Sequence, residues 1–221
     1  MDVLDAIKNR KSVRAFLDKD VDNATIRAVL DAARWAPSGA NAQPWKVAVV
    51  KGRTKEAITR AILEAKEKGI AVSGDYSYYP EKWRSPYKKR RFECGLALYG
   101  AMGIDRKDAE ARKEAWFNNY RFFGAPVGLF FFMPKCMGTG YLVDMGVFIQ
   151  TVVLAAAGHG LATCIQASLA EHPDIIRQIL DISDEFSLIC AVSMGYEDET
   201  APCNRFRQPR IEVDEFTSWY D

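Results

Sequence analysis

The sequence predicts an α+β fold in which a sheet is layered with helices around it. Strongly apolar segments of strand length, such as residues 127–133 and 188–194, alternate with segments whose apolar residues recur at helical spacing. The helical stretches exceed the simple crossovers that join parallel strands, which favours α+β over a regular βαβ repeat. With 221 residues, the chain is long enough for one sizeable core or for one domain with an excursion.

The first half of the chain predicts two short helices, a strand and a longer helix. Asp2 can cap the first helix, and Asp22 or Asn23 can cap the second, because short polar side chains accept hydrogen bonds from the first helical N–H groups. Residues 45–50 are typical of a buried strand. Residues 54–68 have their apolar side chains on one face, which predicts an amphipathic helix.

The middle of the chain is unusually aromatic. Residues 74–92 alternate tyrosines and a tryptophan with prolines and cations, which predicts an irregular excursion. Helices are expected after it, at about 93–103 and 106–119. We therefore expect a single domain over residues 1–221, with an aromatic-rich excursion at about residues 74–123.

A nearly continuous apolar run at residues 142–158 predicts a buried central helix. It is shorter than the roughly 20 residues of a membrane span and contains Asp144 and Gln150. A helix that is apolar all round must be covered on every side, and a partner subunit is one way to cover it. Beyond it we expect a strand at 162–167 and a helix at 173–180. The aromatic tail, 211–221, is expected to pack on something, such as the other subunit.

The bulk composition argues against several classes of protein. The net charge is +1, so no overall field favours nucleic acid or an anionic membrane, and we expect neither as a partner. The N-terminus has no basic segment followed by an apolar run, so no signal peptide is expected. The five cysteines are widely spaced without a CxxC motif, and there are only two histidines. We therefore expect no disulfide framework, no metal site and a cytoplasmic location.

Three segments stand out as candidates for binding. Residues 9–16 and 204–210 each concentrate cations, and arginine forks suit a phosphate. Residues 35–45 place small and amide-bearing side chains between two prolines, as the edge of a flavin ring requires. No P-loop, nucleophile elbow or complete dinucleotide fingerprint occurs in the sequence. An enzyme with this sequence therefore needs a cofactor to supply its chemistry.

Taken together, these segments resemble the nitroreductase family of FMN-dependent enzymes, and its nitrobenzoate-reductase-like members in particular. The resemblance runs through Arg10–Phe16, Ala36–Trp45, Gly140–Ala170, Gly195 and Arg205–Pro209. It implies a three-layer fold with a central, mostly antiparallel sheet flanked by helices. It also implies a domain-crossed homodimer with two FMN sites at the interface, and NAD(P)H as a diffusible co-substrate.

The resemblance also implies which residues hold FMN. The phosphate would be held by Arg10, Ser12, Arg205 and Arg207, with Lys11 nearby through its backbone. Arg14 would lie near the pyrimidine edge. The other subunit would supply the loop of Ser38, Gly39, Asn41 and Gln43. Ile165, Gln166 and Ala167 would lie over the ring, with a backbone amide near the flavin N5.

The family's usual Pro, Glu and Gly near N5 are replaced here by Cys164, Gln166 and Ala167, so the backbone role is kept and a carboxylate role is not. Aromatic side chains are expected to shape a pocket for electron-poor acceptors such as nitroaromatics or quinones, which stack on flat rings. The candidates are Tyr79, Trp83, Tyr87, Phe122 and Phe123. The expected reaction is a ping-pong hydride transfer through the flavin N5, with no catalytic side chain.

Three alternatives remain open from the sequence. The same fold also serves flavoenzymes with other acceptors, which perform dehalogenation, enone reduction or flavin breakdown. A protein that only stores or senses flavin would share the phosphate site. A nucleic-acid binder would use the cations of residues 82–91 and the arginine tail, although the balanced net charge disfavours it.

Overall fold

The computed structural model describes residues 2–221 of the chain. This part contains four strands and seven α-helices. The strands are β1 (Lys46–Val50), β2 (Val127–Pro134), β3 (Ala162–Gln166) and β4 (Phe186–Gly195). The helices are α1 (Val3–Asn9), α2 (Asn23–Ala33), α3 (Gly52–Glu67), α4 (Tyr87–Ala101), α5 (Ala109–Phe117), α6 (Tyr141–Gly158) and α7 (Pro173–Leu180). Asp2 caps α1 and Asp22 caps α2, as predicted.

The sheet separates two hydrophobic cores. Its strand order is β1-β2-β4-β3, and each pair of neighbouring strands is antiparallel. Along β2, Leu129 and Phe131 join the core beneath α2 and α6, while Phe130 and Phe132 join the core beneath α3 and α7. This alternation follows from the two-residue period of a strand. The result is a helix–sheet–helix arrangement of three layers, so the predicted α+β class is confirmed.

The segment after α1 extends the sheet beyond β3. Ser12 forms a parallel bridge with Thr163, and the N–H of Val13 donates to the carbonyl of Thr163 at 3.0 Å. Phe16 forms a second bridge, with Glu197 just after β4. These contacts fix the basic residues 10–14 alongside β3 and next to the end of β4.

Helix α6 is covered on only one side within the single chain. Residues such as Phe148 and Val152 are buried against the sheet, whereas Val143 is 69% exposed and Val147 38% exposed. By length and composition alone the helix could cross a membrane, but its packing against the sheet is that of a core helix. Covering of its bare side by a partner subunit remains a prediction. The tail leaves Trp219 78% exposed, so its packing on a second subunit also remains a prediction.

The excursion is more helical than predicted. It is irregular from residue 74 only to Pro86, because α4 already begins at Tyr87, not near residue 93. The good helix formers that follow Pro86 outweigh the aromatic composition that suggested a loop. Neither α4 nor α5 contains a buried residue, so both helices stand away from the two cores.

The start of the excursion is firmly anchored. Asp75 accepts hydrogen bonds from both terminal nitrogens of buried Arg177, at 2.7 and 3.1 Å, and from the N–H of Leu188 at 2.7 Å. The hydroxyl of Tyr76 donates to the carbonyl of Ile189 at 2.7 Å. These contacts anchor Asp75 and Tyr76 to β4, so the excursion starts from a fixed position beside the sheet.

Candidate functional site

Two basic segments from opposite ends of the chain meet at Asn204. This side chain is 2% exposed. Its oxygen accepts from the N–H of Arg14 at 2.8 Å, and its nitrogen donates to the carbonyls of Ala15 at 2.8 Å and Asp198 at 2.9 Å. Sequence analysis gave Asn204 no role, because an asparagine in a basic segment has no local signal that distinguishes a buried clamp from a solvated residue.

Further contacts draw the two segments together. Arg207 donates to the carbonyl of Lys8, and to that of Arg10 at 2.9 Å, where it stabilises the end of α1. The ammonium of Lys11 donates to the carbonyl of Asn204 at 2.7 Å and pairs with Glu197 at 2.6 Å. The charge of Lys11 is thus already compensated, which agrees with a role through its backbone alone.

The arginines of this region keep their charge available. Within residues 2–221, no carboxylate lies within ion-pair distance of Arg10, Arg14, Arg205 or Arg207. Guanidinium groups that have no carboxylate partner favour a bound anion nearby. The donors present therefore fit a phosphate.

At the end of β3, the backbone is available to a ligand and the polar side chain of Gln166 is not. The side chain of Gln166 is 3% exposed, donates to the carbonyl of Asn119 at 2.7 Å and accepts from the hydroxyl of Ser193. Only the backbone of Gln166 is therefore free to serve a cofactor. Ile165 points outward and is 43% exposed. Burial raises the pKa of the Cys164 thiol to about 11, so this cysteine is a poor nucleophile.

The loop of residues 38–43 is tied to the first turn of α6. The N–H of Gly39 donates to Asp144 at 2.9 Å, the hydroxyl of Ser38 accepts from the N–H of Gln43 at 2.9 Å, and the side chain of Gln43 donates to the carbonyl of Asn41 at 3.1 Å. Within residues 2–221, no hydrogen bond joins this loop to residues 10–14. Within the chain, the loop therefore bonds to α6 and to itself, and not to the basic residues after α1.

An aromatic cleft opens next to the end of β3. It has a volume of about 250 Å³, and Ala167, Ser168, Glu171 and Trp116 line it together with the excursion residues Tyr76, Ser77, Tyr78 and Tyr79. Tyr79 contacts Tyr78 edge to face with ring centroids 4.8 Å apart, and it lies 5.7 Å from Trp83. Tyr87 lies beyond them at the exposed start of α4. Tyr79, predicted to contact the acceptor, and Ala167, predicted to lie over the flavin ring, thus share one cleft.

The polar side of this cleft is held by a buried network. The hydroxyl of Tyr120 donates to the carboxylate of Glu171 at 2.9 Å, and Lys66 pairs with the same carboxylate. The indole of Trp116 donates to Tyr120 at 3.3 Å. Burial raises the pKa of the Tyr120 phenol, and the Glu171 charge raises it further, so the phenol stays protonated and can donate. This network fixes the position of Trp116.

Two adjacent phenylalanines occupy different places. Phe123 lines a small cavity together with Arg14 and Trp116. Phe122 is fully buried, and its ring packs edge to face on Phe130 at 5.9 Å. A ring with no exposed surface cannot stack on an acceptor, so the expectation that Phe122 forms a pocket wall needs correction: it is a core residue.

Comparisons with known proteins agree with this architecture. A family model described as the nitroreductase family matches residues 7–196. The 4-nitrobenzoate reductase of Nocardioides sp. (strain LMS-CY) is 38% identical over 218 residues, which cover 97% of this chain and 88% of that protein. The crystal structure of FMN and NADPH-dependent nitroreductase NfnB from Sphigopyxis sp. strain HMH matches with a TM-score of 0.97 and 37% identity over 100% of both chains.

A second solved structure extends the match. FMN-dependent nitroreductase NfnB from Mycobacterium smegmatis, in complex with NADPH, has a TM-score of 0.93 and 34% identity, and the match covers 99% of this chain and 97% of that one. The family model covers most of the chain, and the matches at 34–38% identity extend over nearly all of it. The protein described here belongs to the nitroreductase family.

Proposed function

We propose that this protein reduces nitroaromatic compounds, and by the same route quinones, as a homodimer with two FMN sites. Family membership makes it an FMN-dependent oxidoreductase that takes its electrons from NAD(P)H. When bound, FMN would supply the two-electron chemistry that carries reducing equivalents from NAD(P)H to the acceptor. The two half-reactions use the same cleft in turn, which predicts ping-pong kinetics.

One observation carries the cofactor assignment: buried Asn204 joins Arg14 to the arginines of residues 205–207. Arg10, Ser12, Arg205 and Arg207 are the residues that would hold the phosphate. Arg14 would stabilise negative charge at the pyrimidine edge, because a fixed cation in a partly buried site is worth more than one in water. The backbone of residues 165–167 would contact the ring.

The remaining flavin contacts are assigned to a partner subunit. The loop containing Ser38, Gly39, Asn41 and Gln43 lies at the start of α6, next to exposed Val143. Pairing of two chains along the bare side of α6 would bury that apolar surface and bring each loop towards the other chain's site. Burial of apolar surface is the main driving force for such association.

The acceptor is proposed to enter the aromatic cleft. Tyr79 and Trp116 line it, Trp83 lies next to Tyr79, and Phe123 lines the adjoining cavity that contains Arg14 and Trp116. Tyr87 is proposed to reach the acceptor from the start of α4. Flat, electron-poor rings stack favourably on such side chains. Burial raises the pKa of the Tyr79 phenol, so its hydroxyl remains a hydrogen-bond donor for a nitro or carbonyl oxygen.

The function is tested in one anaerobic cuvette. Purified protein loaded with FMN should lose its yellow colour on addition of NADH or NADPH, and the colour should return when a nitroarene or a quinone is added. A protein that stays yellow with both donors would contradict the enzymatic function and favour a flavin-storage role. Recovery of colour with halogenated phenols or enones, and not with nitroarenes or quinones, would reassign the acceptor.

A further inference from the structure

The two excursion helices enclose a basic groove that lies apart from the predicted flavin site. The groove has a volume of about 510 Å³, within the range of sites for small ligands. Four cations line it: Lys88, Arg91, Arg106 and Arg112. No carboxylate is among its lining residues, and the aromatic rings of Phe92 and Tyr99 form part of its wall.

The neighbouring acidic residues do not neutralise this groove. The side chains of Asp105 and Asp108 accept from backbone N–H groups at 2.7 and 2.9 Å, where they order the start of α5. Glu93 pairs with Lys89, which does not line the groove, at 3.7 Å. No carboxylate among the lining residues of the groove therefore compensates the charge of its four cations.

The placement of cations on α4 adds a second argument. Four consecutive cations occupy residues 88–91, within the first turns of this helix, and its first turn contains no acidic residue. The start of a helix carries partial positive charge, so cations there destabilise it and a bound anion stabilises it. Both the groove and the helix thus favour an anionic ligand at the same place.

We propose that this groove binds the adenosine 2′-phosphate end of NADPH, so that the enzyme prefers NADPH to NADH. The proposal rests on the proposed function, since it concerns the electron donor of the same reaction. A phosphomonoester carries close to two negative charges near neutral pH and accepts several charge-assisted hydrogen bonds. Four cations therefore suit a phosphate ligand better than a ligand with a single carboxylate. The ring of Phe92 is 51% exposed, and the guanidinium of Arg106 lies over it, 5.2 Å from the ring centroid, so adenine would stack on the opposite face.

The groove adjoins the predicted flavin site through one shared residue and one hydrogen bond. Tyr99 lines both this groove and the small cavity that contains Arg14. The side chain of Gln208, next to the predicted phosphate residues, donates to the carbonyl of Cys94 in α4 at 3.2 Å. An extended dinucleotide with its adenosine in the groove can therefore direct its nicotinamide towards the aromatic cleft.

Binding of nucleotide fragments to the FMN-loaded protein tests the proposal without turnover. By calorimetry, 2′,5′-ADP should bind at least tenfold more tightly than 5′-AMP, because the two differ only in the 2′-phosphate. Lys88→Gln and Arg112→Gln, from opposite helices, should each weaken 2′,5′-ADP about tenfold and leave 5′-AMP nearly unchanged. Lys89→Gln is the matched control, since it removes a cation from the same helix outside the groove.

Kinetics supply a second readout. Lys88→Gln and Arg112→Gln should raise the KM for NADPH towards that for NADH and leave kcat with NADH unchanged. Equal binding of 2′,5′-ADP and 5′-AMP by the native protein would overturn the proposal. So would variants that raise the KM for 4-nitrobenzoate and not that for NADPH, since the groove would then recognise the acceptor. If neither NADPH nor NADH reduced the bound flavin, the proposed function itself would be contradicted.

Discussion

Replacement of Asn204 by alanine should loosen the junction between the two basic segments. The substitution removes three hydrogen bonds to the backbone, leaving the N–H of Arg14 and the carbonyls of Ala15 and Asp198 without their partner. A buried polar group left unpaired costs about 1–3 kcal/mol. The three backbone groups belong to partly buried residues, so we take the lower end, which gives about 3 kcal/mol in the free energy of unfolding.

A loss of this size is measurable in the apoprotein. For a chain of this length, about 3 kcal/mol should lower Tm by roughly 6–12 °C. Urea unfolding at one fixed protein concentration, which holds any dimerisation constant, gives the free energy itself. FMN titration, followed by flavin fluorescence, should show at least a tenfold rise in Kd for Asn204→Ala, because Arg14 and the arginines after residue 204 are no longer held in register.

The matched control is Asn23→Ala, which removes the same atoms from an exposed side chain that makes no hydrogen bond within residues 2–221. It should change the free energy of unfolding by about 1 kcal/mol or less and leave FMN binding unchanged. The reasoning is refuted if Asn204→Ala unfolds within 1 kcal/mol of the native protein and binds FMN with unchanged affinity.

Three further outcomes are expected. Arg205→Gln should raise the Kd for FMN several-fold with little change in Tm, since this side chain is exposed and has no hydrogen bond within residues 2–221; an equal loss of stability would assign it a structural role. Gly128→Ala should destabilise the fold by about 1–3 kcal/mol in urea unfolding, because the added Cβ would lie 2.4 Å from the ring of Phe122; native-like unfolding would show that the ring moves freely. A thiol reagent at pH 8 should modify exposed Cys136 and spare Cys164 in the native protein, since burial keeps the pKa of Cys164 near 11; early loss of both thiols would contradict its burial.

The local parts of the fold could be predicted because their signals are local. Asp2 and Asp22 cap the helices at which they were placed, and the apolar run of β2 is a central strand. The start of α4 was predicted late because the tyrosines before Pro86 suggested a loop that continued to residue 92. Helix propensity in the following residues overrode that composition.

The segments that form the candidate site could be predicted from the sequence, but the orientation of their individual side chains could not. The concentration of cations identified the two basic segments, and the resemblance assigned them to FMN. The family is confirmed by the comparisons. No sequence signal showed that Gln166 turns its side chain into the core, nor that Phe122 is buried while Phe123 lines a cavity. Both outcomes depend on which face of a strand or turn meets a neighbouring element, and that is set by packing.

The sequence by itself determined the fold class, the capped helices, the apolar strands and the family, because these follow from the spacing and chemistry of residues near each other in the chain. Only the tertiary structure decided that Asn204 joins Arg14 across 190 residues, and that α4 and α5 form a groove whose charged lining residues are all cations. A hydrogen bond between distant segments forms only after the sheet brings them together, so its partners leave no local pattern. The loop of residues 38–43 illustrates the same dependence, since the resemblance assigns it to the flavin site of a second chain and nothing in its own sequence indicates that place.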